Sequence, residues 1–408
     1  MSTFRINLHQ AVYSLSDALD LVGVTHIHHG KRVAYIAAEC ARLAGWSPAR
    51  LDALFQAAIL HDCGVSKTLV HAKLGQFEWE NETEHCGQGA QLLQECQLLS
   101  PLADLVLYHH THWEVLQGLA LPATMKLAAN CIYMADRVDI ACQGVSADSD
   151  NLLLSKDSIR GLILERRGTW FAPELVEAFL EVSDSEAFWF ALENEHVSGY
   201  VTQWMSHSHP VDIDFQALRN LVQVFSRIVD AKSTFTREHS DGVACLAHYL
   251  GRLMDLPERT CEMLELAGLL HDLGKLRVPD ELLEKNGKLT EDEYADVMRH
   301  SFDTFSILKN IHGMEEIALW AGQHHERVDG SGYPYHRRHE EISLESRIVA
   351  VADVFQALAQ TRPYRGPLAP PEILAILKGE AARGRLDHNV VAKIEANLMA
   401  CYRASLTQ

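Results

Sequence analysis

Apolar residues along this chain recur mostly at three- and four-residue intervals, the spacing of helices with one buried face, while strict alternation of apolar and polar residues is rare. Ser47-Pro48 reads as an N-cap and first helical residue, opening an amphipathic run that ends at Leu60, His61 and Asp62. Thr290 with Glu293 forms a capping-box pattern ahead of a helix carrying His300. Ser343 precedes an apolar run through Ile348, Val349, Val351, Ala352, Val354 and Phe355, which predicts Asp353 on a buried helix. The segment from Gly199 to Pro210, with His207 and His209 flanking Ser208, reads as the junction between two halves. The expected fold class is all-α, as two tandem helical domains over residues 1–205 and 211–408.

Composition narrows the function classes. A chain of 408 residues with 47% hydrophobic residues has ample material for two or three buried cores. Its formal charge of -19 argues against a nucleic-acid polymer as partner, because phosphate backbones are held by clustered Lys and Arg. A small anionic ligand stays admissible, since bound metal ions supply positive charge locally. Nine cysteines, an odd number with no C-x-x-C pair, fit reduced thiols better than a disulfide framework. The opening residues lack a signal-peptide core and no apolar stretch reaches bilayer length, so the expectation is a soluble cytoplasmic protein with no membrane partner.

Candidate chemistry comes from a repeat. The second half spells Asp230, His239, His271-Asp272, His300, His324-His325 and Asp353, and the first half spells Asp20, His29, His61-Asp62, His85, His109-His110 and Asp136. The first four positions differ by 210 (20 to 230, 29 to 239, 61 to 271, 62 to 272), the next three by 215 (85 to 300, 109 to 324, 110 to 325) and the last by 217 (136 to 353). Composition alone supplies about one His-Asp dipeptide in a chain with 23 His, so the matched spacings carry the signal. Imidazole nitrogens bind borderline ions and carboxylates can bridge two of them, which makes metal-assisted hydrolysis the leading reading.

The second half also contains His271-Asp272-Leu273-Gly274-Lys275, then His324-His325-Glu326-Arg327-Val328-Asp329-Gly330-Ser331-Gly332-Tyr333-Pro334. With Phe235-Thr236 ahead of His239-Ser240, Val351-Ala352-Asp353-Val354-Phe355, and Arg362-Pro363-Tyr364-Arg365, these motifs resemble the HD-GYP family, a branch of the HD phosphohydrolases, over roughly residues 211 to 405. The resemblance implies an all-helical, metal-dependent phosphodiesterase of bacterial 3′-5′ cyclic dinucleotides, cyclic di-GMP ahead of the mixed guanine-adenine compound. The product is the linear dinucleotide and, where cleavage continues, mononucleotides. It makes His239, His271, Asp272, His300, His324, His325 and Asp353 ligands to two or three divalent ions, iron or manganese, with Asp272 bridging. Where relatives with a third ion carry a Glu, this chain carries the shorter Asp230, and Asp241-Gly242 replaces an Arg usual near the first ligand. Lys275 is the candidate catalytic cation for a non-bridging phosphate oxygen. Gly332 and Tyr333 form the loop beside the substrate, and Arg362 and Arg365 are candidates for forked contacts to the second phosphate or a guanine edge.

The first half resembles a generic HD domain. Val65 stands where Lys275 stands, no Gly-Tyr-Pro loop follows His109-His110, and no Arg-Pro-Tyr-Arg segment follows Asp136. A metal-holding regulatory domain, a hydrolase of another substrate, and a packing partner without function all fit, and the first of these takes Asp20, His29, His61, Asp62, His85, His109, His110 and Asp136 as a second metal site. For the whole chain the rival reading is a catalytically silent sensor of the cyclic dinucleotide that signals through a protein partner, which the intact motif around Asp272 disfavours. Self-association as a homodimer is left open by the sequence.

Overall fold

The computed structural model describes residues 2–22, 28–65, 84–146, 151–232, 237–285, 287–361 and 366–406, and among them the chain is helical apart from two four-residue strands. It divides into two compact units, one over Leu8–His209 and the other over Pro210–Gln408 together with the N-terminal strand. That strand, Thr3–Ile6, pairs antiparallel with Val211–Asp214, Ile6 facing Val211 and Thr3 facing Asp214. Alternate residues Phe4 and Ile6 are buried, and the Phe4 ring lies 6.3 Å from that of Phe215. The opening residues, counted with the first half on sequence grounds, thus pack with the second. The junction is also shorter than expected: helix Asn194–Ser206 runs through Gly199, where a side chain would meet nothing within 4 Å.

Both units build the same succession of helices. In the first it runs Leu8–Leu19, His29–Leu43, Pro48–Ile59, Glu84–Gln94, Ala103–Leu107 and Ala123–Ser146; in the second, Phe215–Asp230, Arg237–Leu253, Glu258–Leu270, Glu291–Leu308, Glu315–Gly322 and Leu344–Ala359. The second core gathers Leu246, Leu250, Leu266, Leu270, Val351 and Phe355, all buried, each contributing about 1.5–3 kcal/mol of burial. Local signals act where the sequence places them. Thr290 and Glu293 close a reciprocal capping box, at 2.7 and 3.3 Å, and the Ser343 hydroxyl accepts from the Ser346 amide at 3.1 Å. Ser47 occupies the N-cap ahead of Pro48, although its side chain makes no capping bond.

One close approach positions both sites. A Cβ on Gly274 would fall 2.1 Å from the His300 carbonyl oxygen, and one on Gly64 would fall 2.1 Å from that of His85. Only glycine lets the turn after each His-Asp pair rest on the helix bearing the next histidine. In the second unit Thr304 Oγ1 seals the contact, accepting from the Gly274 amide at 2.9 Å and donating to the His271 carbonyl at 3.2 Å.

Candidate metal centres

Hydrogen bonds to one ring nitrogen aim the histidines of the second unit, at helix ends for His271 and His324 and within helices for His239 and His300. His271 follows the last residue of helix Glu258–Leu270, where carbonyls have no helical partner, and its Nδ1–H donates to Gly268 O at 2.8 Å. His324 does the same with Ala321 O at 2.7 Å, and His300 with Val297 O at 2.5 Å. His239 donates its Nδ1–H to Gln356 Oε1 at 2.5 Å. A carbonyl can only accept, so each bond fixes the tautomer and leaves Nε2 with a free lone pair facing inward.

Around these nitrogens the carboxylates fall into place. His239, His271 and Asp353 form one group whose potential ligand atoms lie within 4.8 Å of one another; His300, His324 and His325 form a second. Asp272 stands between them. Its Oδ2 is 3.3 Å from His271 Nε2 and 3.8 Å from His239 Nε2, and its Oδ1 is 3.6 Å from His300 Nε2 and 3.9 Å from His324 Nε2. The two oxygens of one carboxylate therefore address two separate nitrogen groups.

The electrostatics call for cations. Burial alone would push the Asp272 carboxyl up, but His271, Lys275 and His300 hold it well below the ordinary range; Asp353 is held down likewise by its bond to His239. Burial drives His239, His324 and His325 down and takes His300 to about 4, so these imidazoles are neutral. His271 differs: burial opposes its charge, but Asp272 and Asp353 raise it. Two buried anions thus face four neutral imidazoles, with His271 and Lys275 as the cationic neighbours, and Asp272 Oδ1 has no hydrogen-bond partner among the described residues. Buried charge without a partner is costly, and divalent ions on these atoms would answer it. The residues present fit such ions.

Lys275 leaves the helix in a short 3₁₀ turn over Leu273–Arg277 and bonds Asp272 Oδ2 at 2.6 Å. Gly332 passes so close to the preceding chain that a Cβ would sit 2.3 Å from the Arg327 amide nitrogen, and the Tyr333 ring lies 4.7 Å from that of His325. Sequence reasoning missed Glu326, whose buried carboxylate accepts from the Tyr335 and Arg337 amides at 2.7 and 2.9 Å and pins this loop. It also missed Gln356, one helical turn beyond Asp353, a spacing that could have flagged it. Asp230 stands outside these groups among the described residues, accepting from Ser240 at 3.1 Å and Ser226 at 3.4 Å. Arg362 and Arg365, like Phe235-Thr236, lie outside the described residues.

The first unit repeats the centre with altered supports. His29, His61 and Asp136 form one group, and Asp62, His85, His109 and His110 another. His61 and His109 donate to Ala58 O and Val106 O at 2.8 and 2.6 Å. In the place of Gln356 is Asp139, which accepts from His29 Nδ1 at 2.7 Å and from Arg32 Nε at 2.5 Å. Burial disfavours a charged His29, yet bonds to Asp136 and Asp139 raise it to about 10. Arg137 bonds Asp136 Oδ2 at 2.6 Å. Asp20 is drawn away from the two groups: the buried Lys31 ammonium donates to it at 3.0 Å and to Asp17 at 2.5 Å. A cavity of about 20 Å³, lined in part by Asp20, His29, His61, Asp62 and Val65, opens onto this centre.

Residues 223–390 and residues 27–141 each match a family described as an HD domain. The 3′3′-cGAMP-specific phosphodiesterase 1 of Vibrio cholerae is 37% identical over 415 residues, covering 99% of this chain and 95% of its own length. The 3′3′-cGAMP-specific phosphodiesterase 3 of the same organism is 32% identical over 72% of this chain and 62% of its own, and the cyclic di-GMP phosphodiesterase response regulator RpfG of Xanthomonas campestris is 39% identical over 41% of this chain and 44% of its own. A crystal structure of a cyclic GMP-AMP specific phosphodiesterase from V. cholerae aligns over 98% of both chains, with a TM-score of 0.65 and 25% identity.

Proposed function

Because the chain belongs to the HD superfamily, with two HD domains closely related to cyclic-dinucleotide phosphodiesterases of the HD-GYP type, we propose that its second domain hydrolyses a 3′-5′ phosphodiester of a cyclic dinucleotide with two divalent ions. The observation that carries this reading is the placement of Asp272, one oxygen toward His239 and His271, the other toward His300 and His324. When bound, divalent ions there would lower the pKa of water and neutralise charge on the phosphoryl oxygens. The chain's own part is positional. His239, His271 and Asp353 would hold one ion and His300, His324 and His325 the other, while Lys275, bonded to Asp272, would turn its ammonium to a non-bridging oxygen whose charge grows in the transition state. Tyr333 and Gly332 form the wall beside His325, fixed by Glu326. Arg362 and Arg365 take the non-reacting phosphate or a base edge.

The mixed imidazole and carboxylate donor set suits iron or manganese. Our reading needs two ions; a third on Asp230 requires that carboxylate to give up its serine bonds. The relatives that extend over 99% and 72% of the chain carry the mixed guanine-adenine dinucleotide in their names, whereas RpfG, named for cyclic di-GMP, matches over 41%. That reverses the order suggested by the motifs: 3′3′-cGAMP comes first. The first domain is a metal-holding regulatory or structural partner. Its centre opens onto room for about one water molecule, and Val65 stands where the second domain has Lys275.

The test is to incubate the purified full chain with iron(II) or manganese(II) and 3′3′-cGAMP, cyclic di-GMP, cyclic di-AMP and linear dinucleotides, then chromatograph the products. Metal-dependent opening of 3′3′-cGAMP ahead of the others is expected. Equal cleavage with and without chelator, or cleavage of linear substrates alone, would overturn the proposal.

A further inference from the structure

The two centres match at the histidine and carboxylate positions and part company at the residue after the third histidine. Helix Glu84–Gln94 carries Cys86 there, and helix Glu291–Leu308 carries Ser301. Cys86 is buried at 1% exposure, with Sγ 3.6 Å from His85 Nε2 and 3.9 Å from His109 Nε2. Those nitrogens are 3.3 Å apart and lie 3.5 and 3.8 Å from Asp62 Oδ1. Donors that share one ion at bonds of about 2.0–2.3 Å stand about 3.3–3.8 Å from one another, close to the spacing of the Cys86 sulfur from the two imidazole nitrogens. Within this group Asp62 Oδ1 is a buried atom without a hydrogen-bond partner among the described residues, a donor that an ion would satisfy. The neighbouring Cys63 is not a competitor, because its Sγ faces the Gly89 carbonyl at 3.7 Å.

We infer that Cys86 is a metal ligand, adding sulfur to the group of His85, His109, His110 and Asp62 and giving a mixed sulfur, nitrogen and oxygen set that selects a borderline-soft dication such as Zn²⁺ or Co²⁺ in the first domain. This rests on the proposal that the first domain holds metal. As the sulfur-metal bond forms, the thiol proton leaves to solvent, so a neutral thiol and a dication give a thiolate complex and one proton. Ser301 offers no comparable donor, its hydroxyl lying 3.5 Å from His300 Nε2 as a neutral hydrogen-bonding group. Softness of donor then sorts the metals, thiolate favouring zinc in the first domain and nitrogen with carboxylate favouring iron or manganese in the second.

The test uses the full chain, stripped of metal and titrated with Co²⁺ without oxygen, and reads the near-ultraviolet sulfur-to-cobalt charge-transfer absorption. The wild type should show this band, Cys63→Ser should keep it, and Cys86→Ser should lose it while cobalt affinity at that site falls at least ~10-fold. X-ray absorption of the zinc-loaded wild type should show a sulfur scatterer at about 2.3 Å, an outcome that needs no variant to fold. A band that survives Cys86→Ser, or zinc with no sulfur neighbour, overturns the assignment. His85→Ala separates the two levels of the argument: if it lowers bound cobalt while the spectrum ignores Cys86→Ser, only the thiolate falls, and if cobalt content is unchanged, the first-domain metal site falls with it.

Discussion

At the scale of single residues, the roles proposed for Asp272 and Lys275 are ones that experiment can separate. Asp272→Ala removes the carboxylate addressed to both nitrogen groups, so hydrolysis should vanish and the metal content of the second domain drop, while helical circular dichroism stays near wild type; undiminished turnover in a metal-verified sample would remove Asp272 from the centre. Lys275→Ala should instead leave metal content unchanged and lower turnover by roughly a hundredfold, the scale for losing one charged donor to a transition state. Single-turnover rates alongside metal analysis check this. The clustering of these histidines and aspartates was legible in the sequence because His and Asp at matched spacings, repeated within one chain, rarely arise by chance. Gln356 and Asp139 were not, since each acts through a neighbouring imidazole and neither belongs to a motif. Nor were Lys31 and Arg137, whose roles depend on which buried carboxylate they meet in space.

At the scale of elements, the loop that carries Gly332 and Tyr333 has little freedom. Gly332→Ala places a methyl 2.3 Å from the Arg327 amide nitrogen, which must displace the loop; we expect about 1–3 kcal/mol of lost stability and weaker cyclic-dinucleotide binding, measured by denaturant unfolding and calorimetry. A second element-level prediction concerns the tie among helices Phe215–Asp230, Arg237–Leu253 and Glu258–Leu270, where Glu265 accepts from Arg219 at 2.5 Å and from His248 at 2.9 Å. The bond to Glu265, partly opposed by burial, raises the His248 imidazole above 6.5, with Glu258 adding to the rise and Arg252 opposing it. A raised folded-state value means this contribution is complete below pH 6.5 and fades as pH climbs through the raised value. His248→Gln should therefore cost more stability at pH 5.5 than at pH 9, and equal losses at both would show that the pair contributes nothing. Element boundaries were legible where side chains cap the helix, as at Thr290 and Ser343. The junction was misjudged because Gly199 reads as a breaker in sequence, whereas on an exposed helical face it interrupts no packing.

At the scale of the whole molecule, bound ions should act as part of the fold. A ligand present at a hundred times its dissociation constant stabilises the state it binds by about 2.7 kcal/mol. Chelation should thus lower the melting temperature of the full chain, and Asp272→Ala should reduce that shift; a chelation shift unchanged by the substitution would place the stabilising ions elsewhere. The helical class and the duplicated organisation were legible from periodicity and repeat. The membership of the first strand was not, because four residues with two buried side chains carry too little pattern to reveal a partner some two hundred residues away.

That strand changes what a domain boundary means in this chain. Ile6 faces Val211 across a two-stranded ribbon, so the polypeptide departs toward the first domain and comes back from it at adjoining rungs of one ladder. In order along the chain, the first domain is an enlarged hairpin connection between two strands of the second. Loop-closure entropy rises only by about 0.6 kcal/mol for each doubling of length, so a ribbon anchored on both sides tolerates a connection of this size. The second domain is written in two separated pieces of sequence, and a cut placed between the halves strips it of Phe4 and Ile6 and leaves Val211–Asp214 as an unpaired edge.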